Sequence, residues 1–156
     1  MHSNTIDAGG TGACVGAAAT LGVRAGTSQP TGGGLRGVLR NNILRAGGCT
    51  SMRYGLLDTD TGASLRLIES NDFDPTSAPT ALYRYRAANN MSLNGINSPA
   101  SRKNISVDPM FVSATDLHLM AGSACVDAGT TVGAPALDYD GKARNDGRPD
   151  IGAFER

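Results

Sequence analysis

The feature that most constrains the fold is a repeated short pattern in which an asparagine-containing polar pair precedes an apolar residue. It occurs at Asn41-Asn42-Ile43, Asn71-Asp72-Phe73, Asn89-Asn90-Met91 and Lys103-Asn104-Ile105. Ile43, Phe73 and Ile105 follow one another at intervals of 30 and 32 residues, while Met91 falls off this period. A repeat of roughly 20 to 50 residues is typical of stacked repeat architectures. The pattern therefore predicts a solenoid.

Asparagine suits the corners of a stacked coil because it tolerates left-handed backbone and forms local hydrogen bonds. Asparagines stacked from coil to coil would also satisfy one another's side-chain amides. The segments between them are short apolar bursts such as GVLRNNIL and TALYRYRA, and no stretch convincingly shows the apolar spacing of an amphipathic helix. We expect an all-β fold of short strands. A β-sandwich is the rival, but it requires more regular strands and more aromatic packing.

The composition fits a parallel β-solenoid. The 156 residues include 21 Gly and 7 Pro but no Trp, so turns are frequent and large anchors are few, and inward Val, Ile, Leu and Phe can stack between coils. Lys+Arg and Asp+Glu number 14 each, which leaves no net field to attract nucleic acid. No apolar run approaches the length of a bilayer span, and no signal peptide is evident. We expect neither a nucleic-acid partner nor membrane insertion.

The three cysteines are far apart, and the chain has only two histidines. Zinc binding is disfavoured because too few ligands have suitable spacing. A disulfide between Cys14 and Cys49 and a set of three free thiols that includes Cys125 remain open alternatives.

The last third of the chain carries several motifs in a fixed order. They are Asp108-Pro109-Met110-Phe111, Leu117-His118-Leu119, Gly122-Ser123, Val126-Asp127-Ala128-Gly129, Asp138-Tyr139-Asp140-Gly141, Arg144 and Asp150-Ile151-Gly152-Ala153-Phe154-Glu155. In this order they resemble the C-terminal region of bacterial right-handed parallel β-helix proteins of the choice-of-anchor Q type. The family pattern has a proline where this chain has Ala124. The coil sequences LRNNIL and ESNDF resemble the family more weakly.

The resemblance implies a short right-handed parallel β-helix of about three to four coils, forming a terminal piece of a larger secreted or surface-attached protein. The last coil of a solenoid exposes unpaired backbone groups and an open core, which something must cover. We expect a single domain with an N-terminal coil or cap region at 1–36, β-helix coils at 37–107 and a C-terminal capping segment at 108–156. The structural residues expected in this cap are Asp127, Asp138, Asp140, Arg144 and Asp150.

A calcium site is an alternative role for the acidic residues of the cap. The candidate ligands are Asp138, Asp140, Asp146 and Asp150. A D-x-D-G sequence supplies oxygen ligands before a glycine turn, but an EF-hand-like loop needs an acidic twelfth residue, and here that position is Pro149. We therefore predict no cofactor. We expect Asp150 to pair with Arg144 and Arg148, and the other aspartates to accept hydrogen bonds from turn amides.

Two pairs of carboxylates at i, i+2 spacing are the candidates for polysaccharide cleavage. They are Asp58 with Asp60 and Asp72 with Asp74. Glycosidase chemistry requires two carboxyls, one with a raised pKa. One pair falls in a predicted exposed turn and the other at a strand end, so we expect neither to be buried enough for such tuning. No serine or cysteine nucleophile motif is present.

The alternating segment ALYRYRA is the candidate ligand-binding surface. Alternation places Tyr83 and Tyr85 on one face of a strand and Arg84 and Arg86 on the other. Outward tyrosines could stack on sugar rings, whereas inward tyrosines would fill a core with few other aromatics. We expect the inward arrangement, which leaves the arginines as a solvated rim.

These features predict a non-catalytic structural or surface-interaction module, with an extracellular or cell-surface location implied by the resemblance. Whether the chain is an enzyme stays open, and the alternative is a module that binds or degrades polysaccharide along an outer face. At the N-terminal end, we expect Ala13 to Leu21 to pack over the first coil, or two chains to meet there as a homodimer.

Overall fold

A computed structural model describes residues 1–7, 15–21, 38–46, 52–58, 67–85, 89–97 and 102–156. The described strands are β1 Thr5–Asp7, β2 Val15–Leu21, β3 Val38–Arg40, β4 Ile43–Arg45, β5 Met52–Asp58, β6 Leu67–Glu69, β7 Asp72–Asp74, β8 Ala81–Tyr85 and β9 Asn89–Met91. A 3-10 turn at Pro75–Ser77 follows β7, and the one-turn helix α1 spans Leu93–Ile96. Within the described ranges, no helix has the length and hydrophobicity needed to cross a bilayer. The protein is therefore predominantly β, which confirms the all-β prediction.

The sheets are built mainly from parallel pairs between strands far apart in sequence. In two of them, β4 lies between β1 and β7, and β5 lies between β2 and β8, while β3 pairs with β6. Strand β9 pairs with β8 in the antiparallel direction. The unit β3-β4-β5 is thus repeated as β6-β7-β8.

The repeat register differs by one residue from the one that the apolar positions predict. Asn42 stacks on Asn71 at a separation of 29 residues, and Ile43 pairs with Asp72, while Leu44 pairs with Phe73. A shift of one residue moves a side chain to the opposite face of a strand. The position equivalent to Ile43 is therefore occupied by an aspartate in the next repeat.

The described structure contains a ladder of asparagines, which we define as Asn4, Asn42, Asn71 and Asn104. In each step, the Oδ1 of one asparagine accepts two hydrogen bonds, from the backbone N–H and the side-chain amide of the preceding asparagine. The ladder ends at Asn97. Its Oδ1 accepts hydrogen bonds from the backbone N–H and the side-chain amide of Asn104, both at 3.0 Å. The ladder satisfies polar groups that are otherwise costly to bury.

The residue before each asparagine of the ladder has left-handed backbone. Ser3, Asn41, Ser70 and Lys103 have φ values of 50°, 55°, 52° and 51°. This conformation costs non-glycine residues roughly 1 kcal/mol or more, so its recurrence at equivalent positions indicates that the ladder fixes the corner. The backbone of the corner is the same at these four described positions, although the residue that occupies it changes.

The sheet β1-β4-β7 is buried on both faces. On one face, Leu44 and Phe73 belong to a core cluster that also contains Leu39, Leu56, Ile68, Tyr83 and Ile96. On the other face, Ile43 packs in a second cluster with Leu119, Cys125 and Ile151. The second cluster consists largely of residues from the C-terminal segment, which we define as residues 108–156.

The C-terminal segment crosses the outer face of this sheet, which differs from the predicted cap over the last coil. Gly152 donates its N–H to the carbonyl of Asn41, and Ala153 donates to the Thr5 hydroxyl over 3.3 Å. Cys125 lies against Asp72. The segment therefore contacts β1 and β7 as well as β4, because its apolar side chains match the outward Ile43 and Ile105 rather than an open end.

The end of the strand stack is covered by other residues. Strand β9 pairs with β8, and Ile96 of helix α1 is buried in the first core cluster. At the N-terminal side, the expectation that Ala13 to Leu21 packs over the first coil also differs from the structure. Residues 15–21 form β2, which pairs with β5 as a member of the sheet.

Candidate functional site

The buried carboxylates of β7 are the first candidate, and they correct a prediction. Asp72 and Asp74 are both buried, with 0% and 1% of their surface exposed, because the C-terminal segment covers the outer face of the sheet. The expectation that this pair is too exposed to be tuned is wrong. Of the other pair, Asp60 lies outside the described residues, and only the backbone of Asp58 is described.

Asp72 is a fully buried carboxyl whose pKa is strongly raised. Burial raises its pKa to about 7, partly opposed by the hydrogen bond that its Oδ1 accepts from the N–H of Val107 at 3.0 Å. The thiol of Cys125 donates to its Oδ2 at 3.6 Å, and burial also raises the pKa of that thiol. The cysteine is a neutral partner, not a nucleophile, because reactive cysteines have lowered pKa values and solvent access.

Asp74 has a structural role, because its carboxylate binds the turn after β7 and the side chain of Arg45. Its Oδ1 accepts hydrogen bonds from the N–H and hydroxyl of Thr76, so it caps the turn that follows β7. Its Oδ2 accepts from Nε of Arg45 at 2.8 Å. The Arg45 guanidinium in turn lies 5.5 Å from the centre of the Phe111 ring, which joins the sheet to the C-terminal segment.

Arg144 is the centre of a buried network at the end of the chain. Its Nη1 lies 2.6 Å from Oε2 of Glu155, with both side chains almost fully enclosed, and its Nη2 donates to the carbonyl of Gly152. Asp150 does not pair with Arg144 or Arg148 as predicted. Instead, its carboxylate accepts the backbone N–H groups of Asp127 and Arg156 at 2.8 and 2.9 Å. The predicted ion pairing therefore applies to Glu155, not Asp150.

Three of the four candidate calcium ligands, Asp138, Asp140 and Asp150, form hydrogen bonds with different partners. Asp138 accepts three backbone N–H groups, from Asp140, Lys142 and Glu155. Burial opposes its ionised form, but these donors outweigh burial and hold its pKa below the usual value. Among the described residues, no group of three or more His, Cys, Asp or Glu side chains is placed to hold a metal ion. Asp146 is exposed, and within the described ranges its side chain forms no hydrogen bond to the other candidates.

His118 forms a surface clamp with two aspartates, which we call the His118 clamp. Its Nδ1 lies 2.5 Å from Asp116 and its Nε2 lies 2.9 Å from Asp140. The hydrogen bond to Asp116 raises the pKa of His118, and the bond to Asp140 adds to this effect. Because both ring nitrogens face carboxylates, the clamp favours the charged form of the imidazole, in which both nitrogens donate. The clamp joins two parts of the C-terminal segment and leaves no nitrogen to act as a base.

Aromatic residues occur in two different environments. Tyr83 is buried in the first core cluster, whereas Arg84 is partly buried and donates to the hydroxyl of Tyr54 at 2.6 Å. Only the backbone of Tyr85 is described, and Arg86 lies outside the described residues. Tyr139 is 82% exposed. Its ring packs edge-on against Phe154, which stacks on His118 with ring centres 4.0 Å apart.

A polar cleft of about 160 Å³ lies between the C-terminal segment and the corner column, which we define as the left-handed residues Ser3, Asn41, Ser70 and Lys103. It is lined on one side by Glu69, Ser70 and Lys103. The opposite side is formed by Gly129, Thr130, Thr131 and Arg148. The sequence does not predict this cleft, since nothing in the local sequence indicates that residues 70, 103 and 130 meet.

No family model matches the sequence, and neither the curated proteins nor the solved structures contain a significant match.

Proposed function

We propose that this chain is a short right-handed parallel β-helix that serves as a non-catalytic structural or surface-interaction module. We further propose that it is related to the C-terminal end of larger secreted or surface proteins of the choice-of-anchor Q type. The repeated unit of three strands and the asparagine ladder support the β-helix, because stacked repeats with matched corners are the basis of such solenoids.

The observation that carries the non-catalytic role is the enclosure of the perturbed carboxyls. Burial raises the pKa values of Asp72, Asp150 and Glu155, yet each of these residues is at most 4% exposed. A general acid must come within hydrogen-bond distance of its substrate. Carboxyls that are buried under or within the C-terminal segment and accept backbone N–H groups instead stabilise a fixed arrangement of the chain.

The test is an assay for cleavage combined with a measurement of rigidity. The purified protein would be incubated with a panel of neutral and acidic polysaccharides, and new reducing ends and unsaturated products would be measured. We expect no turnover, together with cooperative unfolding in urea and slow amide hydrogen exchange in the ladder residues. Turnover that Asp72→Asn abolishes, without a loss of folding, would defeat the proposal.

Polysaccharide binding is a second candidate function, and the exposure of Tyr139 favours it. An exposed aromatic ring provides an apolar face for sugar stacking, and here Phe154 supports the ring from the side. The predicted surface at Tyr83 does not provide such a face because this ring is in the core. Loss of binding on a glycan array in Tyr139→Ala, with retention in the buried-core control Tyr83→Phe, would support it. Equal binding in Tyr139→Ala and the wild type would reject it.

We also propose that two chains associate through the N-terminal edge. Within the described residues, β1 pairs only with β4, and β2 pairs only with β5, so each has one edge free to pair. Light scattering across a concentration series would detect the homodimer. A mass that stays at that of one chain at all concentrations would exclude it.

A further inference from the structure

We propose that the polar cleft between the corner column and the C-terminal segment binds an oxyanion group: a carboxylate, sulfate or phosphate. The group would be carried by an acidic saccharide or present as a free ion. This inference is independent of the structural role proposed above. It depends on four features of the cleft.

The first feature is the charge of the lining residues. Glu69 is neutralised by Arg40, whose Nε lies 2.7 Å from Oε2 of Glu69. Lys103 and Arg148 are exposed, and neither forms an ion pair with any residue that the structure describes. The cleft therefore presents two uncompensated cations, and opposite charge is the main attraction for an anion in a partly enclosed site.

The second feature is the orientation of Arg148. Its Nη2 donates to the carbonyls of Gly129 and Ala128, at 3.0 and 3.5 Å. Within the described part of the chain, no partner is found for its Nη1 and Nε. One edge of the guanidinium is thus fixed by the backbone while other donors remain for a ligand, which is the planar geometry that suits an oxyanion.

The third feature is an unsatisfied hydroxyl. Ser70 is 1% exposed and lines the cleft, and its Oγ has no hydrogen-bond partner. A buried hydroxyl without a partner is costly. At the equivalent corner of the preceding repeat, the Asn41 amide is hydrogen-bonded to the C-terminal segment. Its Nδ2 donates to the carbonyl of Thr130 and its Oδ1 accepts from the N–H of Thr130, both at 2.8 Å. The hydroxyl of Ser70 therefore has a hydrogen-bond donor available for a ligand in the cleft.

The fourth feature is the rigidity of the opposite wall. A Cβ at Gly129 would lie 2.5 Å from the carbonyl of Pro149 and 3.1 Å from the Asn41 side chain. This close approach, together with the Asn41 amide, fixes the backbone next to the threonine hydroxyls at 130 and 131. A preformed wall lowers the entropic cost of ligand binding.

The test is a titration followed by amide chemical shifts in NMR, at low ionic strength. The probes are sulfate, phosphate, galacturonate and, as a neutral control, glucose. We expect saturable shifts at Ser70, Lys103, Thr130 and Thr131 with the anions and none with glucose. Tighter binding of galacturonate than of sulfate would indicate the acidic saccharide, and the reverse order would indicate the free ion.

Variants distinguish a site from general attraction to surface cations. Lys103→Gln should weaken anion binding about ten-fold or more, whereas Lys142→Gln, the same change at an exposed lysine that does not line the cleft, should leave it within about two-fold. Arg148→Gln should also weaken binding, but Lys103→Gln carries the test because Arg148 holds the backbone of the wall. Equal effects of Lys103→Gln and Lys142→Gln, or non-saturating shifts across the surface, would overturn the proposal.

Discussion

The side-chain amide of Asn42 donates to Oδ1 of Asn71 over 2.8 Å, and the backbone N–H of Asn42 donates to the same oxygen over 3.0 Å. One oxygen thus satisfies two donors of the neighbouring repeat. Asn71 in turn depends on Asn104 for its own two donors. Since each step relies on the next, the ladder couples the repeats to one another.

Replacement of Asn71 should be strongly destabilising. Asn71→Ala removes the acceptor of Asn42 and the donor to the carbonyls of Leu39 and Glu69. We expect the free energy of unfolding to fall by about 3 kcal/mol. Asn94→Ala, at an exposed position of α1, should change it by less than about 0.5 kcal/mol. Urea denaturation measures both, and similar losses would show that the ladder carries no special stability.

Asp72 should make stability dependent on pH. Its pKa is about 7 when folded, against the ordinary 3.8, so the folded state binds the proton more tightly. Stability is therefore greatest below the unfolded pKa and declines as pH rises toward the folded pKa. Asp72→Asn keeps the acceptor for Val107 but cannot ionise. The variant should gain about 2 to 3 kcal/mol relative to the wild type between pH 5 and pH 8.

The measurement for Asp72 is the difference in unfolding free energy between the two proteins at each pH. Using the difference removes the contributions of Asp150 and Glu155, whose pKa values are also raised. Asp146→Asn, an exposed substitution with the same change of charge, is the control and should show little change. A constant difference between Asp72→Asn and the wild type at both pH values would contradict the assignment.

The pKa values of the two histidines should lie on opposite sides of the ordinary histidine pKa. The bond to Asp116 raises the pKa of His118, and that of Asp140 adds to it, whereas burial, the N-terminal charge and Arg40 lower the pKa of His2. The His118 clamp thus contributes stability below pH about 6.5 that is lost as pH rises through the folded pKa. NMR titration of the ring protons would show Asp140→Asn lowering the pKa of His118 only. Unchanged titration of His118 would disprove the bond to Asp140.

Gly152 should be required for seating the C-terminal segment. It has φ +119°, and an added Cβ would lie 2.9 Å from Cδ1 of Ile43 and 3.2 Å from the Thr5 hydroxyl. Gly147 has a similar φ of +138°, with no atom near the added Cβ. Both alanine variants strain the backbone, but only in Gly152→Ala does the added Cβ also crowd neighbouring atoms. We expect it to be about 1 to 3 kcal/mol less stable than Gly147→Ala, as measured by thermal unfolding. Equal stability would mean that the contact yields easily.

The asparagine repeats allow the all-β class and the stacking of amides to be predicted, because both depend on a short pattern that recurs. The predicted register differs by one residue because the repeated pattern aligns the apolar residues Ile43 and Phe73. The structure instead aligns Asn42 with Asn71. The local sequence does not predict that Asp72 occupies the position equivalent to Ile43. The partners of Asp72 are Val107 and Cys125, which lie 35 and 53 residues further along the chain.

The C-terminal segment shows the same limit. Its motifs indicate a segment held by its own polar groups, and Asp138 and Arg144 do bond within it. They do not encode the surface on which it lies. That surface is set by the apolar match between Ile43 and residues such as Leu119 and Ile151, which a periodic pattern cannot reveal. The polar cleft arises from this packing and is equally invisible in the sequence.

The hydrogen bond from Ala153 to Thr5 joins residues 148 positions apart. During synthesis, the outer face of the sheet cannot be covered at Thr5 until Ala153 has also left the ribosome. Interactions of such long sequence separation slow folding, since a large loop must close first. The interval leaves Ile43 and its neighbours open to chaperones and to other nascent chains.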